Sequence, residues 1–121
     1  MPRVLVVGAG IAGLSLAMGL RTRGVSATVV EQAPEIADAG LSIALREPHF
    51  QALTEIGYPD SRSWRHFPIR QVMHYDDKGA PVEAGPEGCM FTRGDLRHAM
   101  LAPVRDLVRT GIKTGRDGRP W

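Results

Sequence analysis

Val4-Leu-Val-Val7 runs straight into Gly8-Ala-Gly10-Ile-Ala-Gly13, and the apolar, small-residue character continues to Leu20. Three glycines at that spacing, between a β-branched run and a helical pattern, constrain the chain more than any other feature. The apolar run reads as a strand buried on both faces. From Gly10 to about Arg23 the pattern turns helical, with Ile11, Leu14, Ala17 or Met18, and Arg21 at three-to-four spacing. Gly24 stands where a left-handed residue ends such a helix. Ser26 to Glu31 then has the β propensity of a second strand. Strand, helix and strand in so short a stretch make one βαβ unit with a right-handed crossover.

Each glycine has a chemical reason. Gly8 permits a tight turn out of the strand. Gly10 lacks a Cβ, so a pyrophosphate can approach the backbone. Gly13 lets the helix pack closely on the strands. The helix start offers unpaired N–H groups and the positive end of the macrodipole to a diphosphate. Glu31 closes the second strand and would accept hydrogen bonds from an adenosine ribose hydroxyl. Its charge would repel a 2′-phosphate, which disfavours NADP at this position. With Arg3 before the first strand, these residues form a dinucleotide-binding fingerprint. The fingerprint alone does not separate NAD from FAD.

The rest of the chain is sparse in chemistry. Its 121 residues suit one domain, and 43% hydrophobic residues suit a packed core. A formal charge of +2 is too small to argue for nucleic acid or an anionic membrane. Glycines interrupt the apolar run from Val4 to Leu20, which reads neither as a membrane span nor as a signal peptide. One cysteine, Cys89, excludes an internal disulfide framework and suits a cytoplasmic protein. The four histidines show no paired metal-ligand spacing. No side chain is singled out as a catalytic acid or base. After a loop from Gln32 to Ala39, Gly40 to Leu45 reads as extended. Pro48 opens a helix that stops at Gly57. Ile69 to Tyr75 and Pro81 to Ala84 read as a hairpin around Asp76-Asp-Lys-Gly79, Cys89 to Thr92 as a short strand, and Asp95 to Ala102 as a helix.

The opening, through Val29-Val-Glu31-Gln-Ala-Pro34, resembles the FAD-dependent monooxygenases related to para-hydroxybenzoate hydroxylase. That family follows the acidic residue with an Arg-Ala-Pro-like loop, here Gln32-Ala33-Pro34. Its Gly-containing extended segment is similar to Gly40-Leu-Ser-Ile-Ala-Leu45, and its helix ending in Leu-Gly to Ala52-Leu-Thr-Glu-Ile-Gly57. An arginine opening a later helix, with leucine three residues on, is matched by Thr92-Arg93-Gly-Asp-Leu96. The resemblance implies an α/β, Rossmann-like FAD/NAD(P)-binding fold with a small β-hairpin insertion. It implies FAD contacts at Gly8, Ala9, Gly10, Ile11, Ala12, Gly13, Glu31, Gln32 and Arg93. In a complete family member it also implies NAD(P)H and a small organic, aromatic substrate.

Two departures stand out. Ala37 and Asp38 occupy the loop where the family often carries an arginine near the pyrophosphate. The chain also has only the N-terminal part of the family's length. The expectation is one truncated FAD-binding domain: residues 1–57 the βαβ core, 58–92 a β insertion, and 93–121 a returning helix and tail. Such a chain is expected to be inactive alone. The alternatives are a stand-alone module for NAD or an adenine nucleotide, and a non-functional gene fragment. The first strand should pair with the second, a strand near Ile112 extending that side, and its other edge should stay open to self-association.

Overall fold

The structure, a computed structural model, describes residues 3–36, 41–85 and 87–115, without the side chains of residues 83 and 84. Ala37 and Asp38, which stand where the family often carries an arginine, lie outside the described residues.

The βαβ unit forms as the sequence predicts. Strand β1 (Arg3–Val7) leads into helix α1 (Ile11–Thr22) and returns as β2 (Ser26–Val30). Strands β1 and β2 pair in parallel over five residues, from Arg3 opposite Ser26 to Val7 opposite Val30. Helix α1 buries Leu14 and Ala17 against the sheet, and the chain turns at Gly24 with a φ of 72°.

The middle of the chain builds two further sheets. Strand β3 (Ser42–Leu45) is followed by helix α2 (Glu47–Ile56), which carries Pro48 in its first turn and stops at Gly57. Strands β4 (Phe67–Ile69), β5 (Val72–Tyr75), β6 (Pro81–Gly85) and β7 (Gly88–Thr92) come next. The antiparallel order is β3-β7-β4, while β5 and β6 form a separate two-stranded arm. The single strand read over Ile69 to Tyr75 is therefore two. The chain leaves β7 after Ile69, crosses the polar pair Arg70-Gln71, and pairs afresh with β6 from Val72.

Helix α3 (Arg93–Leu101) starts directly from β7. Thr92 caps it, its Oγ1 accepting from the Asp95 N–H at 3.1 Å. A 3₁₀ segment over Ala102–Leu107 then leads into β8 (Val108–Arg109), which pairs in parallel with β2. The strand expected near Ile112 thus forms slightly earlier. The contact continues past it: Gly111 and Ile112 donate their N–H groups to the carbonyls of Ala33 and Glu31.

The core lies where α1, α2 and α3 meet the sheets. Leu14, Phe50, Leu53, Tyr58, Phe91, Leu96, Met100 and Val104 are all buried there. The Tyr58 hydroxyl donates to the Met100 carbonyl at 2.7 Å, and burial pushes its phenol pKa up. Outside the core, Arg21 at the end of α1 is tied to Asp106 and to the Pro103 carbonyl.

One expectation for β1 fails. Val6 is buried, but Leu5 is 48% and Val7 59% exposed, so the strand is covered on one face and not on both. With the order β1-β2-β8, β2 holds the centre and β1 is an edge among the described residues. Alternate β1 side chains point to opposite faces, and α1 covers one of them.

Candidate functional site

The glycine bend occupies the C-terminal end of β1, where an open α/β sheet places its ligands. Gly8 has a φ of 103°, which only glycine adopts without strain, and its N–H donates to the Val30 carbonyl at 2.7 Å. Gly13 is needed for space. A Cβ there would lie 1.9 Å from the Gly8 carbonyl oxygen and 3.4 Å from Val6 Cγ1. The helix can sit on the bend only because this position carries no side chain.

Gly10 is the opposite case. A Cβ on it would meet nothing within 4 Å, so its outer side is open. Gly10 is also the N-cap of α1, and no side chain caps the helix or places an acid in its first turn. The early N–H groups, around Ile11, Ala12 and Gly13, have no carbonyl one turn back to receive them. An anion at this spot meets donors and a favourable dipole.

Glu31 sits beside the bend. Its Oε1 accepts from the Ala9 N–H at 3.1 Å and its Oε2 from the Ala33 N–H at 3.0 Å. Its own N–H donates to the Arg109 carbonyl. The side chain is 13% exposed. Its carboxyl titrates below the ordinary glutamate range. The Ala33 N–H does most to hold it ionised, burial opposes, and the Ala9 N–H, the Arg97 charge and the Gln32 backbone assist.

A hollow of about 370 Å³ opens between the bend and the end of β2, lined by Gly8, Glu31, Gln32, Ile112 and Thr114 among others. Gln32 is exposed at its rim. The structure therefore brings together Gly8, Ala9, Gly10, Ile11, Ala12, Gly13, Glu31 and Gln32, all read as site residues from the sequence. Ala9 differs in detail, because its N–H is already engaged by Glu31. Arg93 is exposed at the start of α3; its N–H donates to the Leu41 carbonyl, and its side chain makes no hydrogen bond to the bend.

Arg97 is the residue that sequence reasoning missed. It lies on α3, 17% exposed, with Nε and Nη2 donating to the Ala9 carbonyl at 3.2 and 3.0 Å. Nη2 is also 3.6 Å from Glu31 Oε1. The one available signal was its spacing, four residues after Arg93 and so on the same side of the helix.

The donor set fits a dinucleotide. A turn only glycine can make, an open glycine at an uncapped helix start, and a carboxylate beside a hollow are features a dinucleotide-binding βαβ unit requires. Among the described residues, no cluster of acids, histidines and cysteines is arranged to hold a metal ion. No helix there is long and apolar enough to cross a membrane.

Comparison with known proteins reaches the same place. A family described as FAD binding domain matches residues 3–119. Phenazine 1,6-dicarboxylic acid hydroxylase PhzS of Lysobacter antibioticus is 29% identical over 125 residues, covering 91% of this chain and 31% of that protein. 3-Amino-4-hydroxybenzoate 2-monooxygenase PtnB3 of Streptomyces platensis is 45% identical over 125 residues, covering 92% and 30%. The crystal structure of Klebsiella pneumoniae HpxO with FAD and uric acid superposes with a TM-score of 0.76 at 25% identity, over 94% of this chain and 32% of that one. The chain thus spans about a third of the length of these proteins.

Proposed function

The chain belongs to the FAD binding domain family, and from that membership we propose that it is the FAD-binding part of a flavoprotein monooxygenase. The complete reaction is hydroxylation of an organic, aromatic substrate with NAD(P)H and dioxygen. The observation that carries the dinucleotide reading is the open Gly10 N-cap beside the Glu31 carboxylate, and the match to the FAD binding domain family over residues 3–119 favours FAD over NAD. Relatives support the reaction class: PtnB3 is named as an aminohydroxybenzoate monooxygenase and PhzS as a phenazine hydroxylase.

In this reading each residue has a task. Gly8 turns the chain, and Gly13 lets α1 approach the turn. The amides from Gly10 through Ile11, Ala12 and Gly13 receive the diphosphate. Ala9 holds the bend to Glu31, and Glu31 accepts from the ribose hydroxyls beside Gln32. Arg93, at the start of α3, would supply a further contact to the cofactor. Bound flavin supplies the redox chemistry; the protein supplies grip and orientation. Residues 1–57 form the dinucleotide core, 58–92 the β insertion, and 93–121 the returning helix and tail. The chain works in the cytoplasm, binds FAD without turning substrate over by itself, and offers the β1 edge for self-association.

Purified chain mixed with FAD and desalted tests the reading. Retained flavin absorbance, with quenched flavin fluorescence, is expected. A colourless protein that takes up NAD and not FAD would instead establish a nicotinamide or adenine-nucleotide module. One that binds neither would mark a chain without ligand function.

A further inference from the structure

Arg97 reaches across 88 positions of sequence to hold the carbonyl of Ala9. Glu31 holds the N–H of the same residue. Both polar groups of Ala9, at the apex of the glycine bend, are therefore engaged by side chains from two other elements. The guanidinium closes the triangle, since its Nη2 faces Glu31 Oε1 at 3.6 Å. All three corners are shielded: Ala9 is fully buried, and the two side chains are 13% and 17% exposed.

Arginine suits this position better than lysine. Its planar fork places two N–H groups on one oxygen while Nη2 stays within ion-pair range of the carboxylate. A carboxylate offers about four acceptor positions. Ala9 and Ala33 take one each, so Glu31 keeps capacity for hydroxyl donors. A diphosphate at the bend would add negative charge close to Glu31. A fixed guanidinium beside the acid offsets that repulsion and keeps the carboxylate ionised and turned toward the bend.

We infer that Arg97 is a positioning residue for the adenosine end of the dinucleotide. It locks the Ala9 peptide and the Glu31 carboxylate together, so that the ribose hydroxyls meet an acceptor already in place. The ligand half of this inference rests on the FAD reading above; the clasp itself does not.

The 121-residue chain serves as wild type, Arg97→Met and Arg97→Lys. Without ligand, carbon-13 NMR follows the Glu31 carboxyl through an acid titration, and hydrogen exchange follows the Ala9 amide. In Arg97→Met the Glu31 midpoint is expected to rise and Ala9 exchange to quicken by about tenfold, the scale of one lost charge-assisted hydrogen bond. No change in either overturns the clasp, whatever the nucleotides do. Calorimetry with ADP and 2′-deoxy-ADP then tests positioning. Arg97→Met is expected to weaken ADP about tenfold and 2′-deoxy-ADP far less, erasing the preference for the 2′-hydroxyl. Arg97→Lys should restore part of that preference by keeping the charge without the fork. Equal weakening of both nucleotides, with the preference intact, would reduce Arg97 to a packing role. Wild type that binds neither nucleotide refutes the dinucleotide reading and the ligand half with it, while the unliganded measurements still decide the clasp. Should Arg97→Met fail to fold by circular dichroism, Arg97→Lys carries both comparisons.

Discussion

The glycine bend and the β5–β6 arm are both turns flanked by strands or helices with apolar residues, yet the two regions hold their shape by different means. Around the bend, Leu14, Val29 and Met100 are fully buried, and hydrogen bonds join residues far apart in sequence. On the arm, Met73 is 42%, Tyr75 61% and Val82 66% exposed. There the shape comes from the turn itself. Asp76 Oδ1 accepts the N–H groups of Lys78 and Ala80, both at 2.9 Å. The arm is local and forgiving, whereas the bend is non-local and exacting. Precision sits where a ligand has to be gripped.

The sharpest way to break that contrast is at Gly13. Gly13→Ala puts a Cβ 1.9 Å from the Gly8 carbonyl oxygen. It is expected to cost about 3 kcal/mol in urea unfolding and to abolish FAD retention. Tyr58→Phe comes next, since it leaves the buried Met100 carbonyl without its donor. A loss of about 1–2 kcal/mol is expected, with FAD affinity per folded molecule unchanged.

Glu31→Gln should leave the fold intact and lower FAD affinity about tenfold by fluorescence titration. It also sets a pH signature. The folded carboxyl titrates below the ordinary value of 4.5. Its contribution to stability is therefore complete above that value and is lost as pH falls through the lower, folded one. Urea midpoints of the wild type should drop more steeply on that acid limb than those of Glu31→Gln. The smallest effect belongs to the arm: Val82→Thr should move stability by less than about 0.5 kcal/mol and leave FAD retention unchanged. A larger loss there would erase the distinction between the two regions.

These regions also divide what could be read from the sequence. The glycine pattern of the bend was legible because each glycine answers a demand at its own position, even though the bonds that hold the bend are long-range. Positive φ at Gly8 and the absent Cβ at Gly13 each select glycine, and a helix start and a strand end fix where the acid must stand. Arg97 was not legible, since nothing near it in sequence announces a partner at Ala9. The burial of β1 was misjudged for a related reason. Leu5 and Val7 declare what the strand prefers, and say nothing of what lies over its far face. Ile69 to Tyr75 was read as one strand because no glycine or proline marks a break within it. Only the pairing, first with β7 and then with β6, shows the break at Arg70-Gln71.

The glycine bend leaves from the edge strand, whereas the acid leaves from the strand in the middle. Their meeting depends on one ladder, Arg3 to Val7 against Ser26 to Val30. A slip of a single rung would carry the two apart by roughly 3.3 Å and turn every side chain of the moving strand over. The nucleotide cleft is in that sense a vernier for strand alignment. Any ligand that spans it reports, by binding at all, that the first two strands have closed in register.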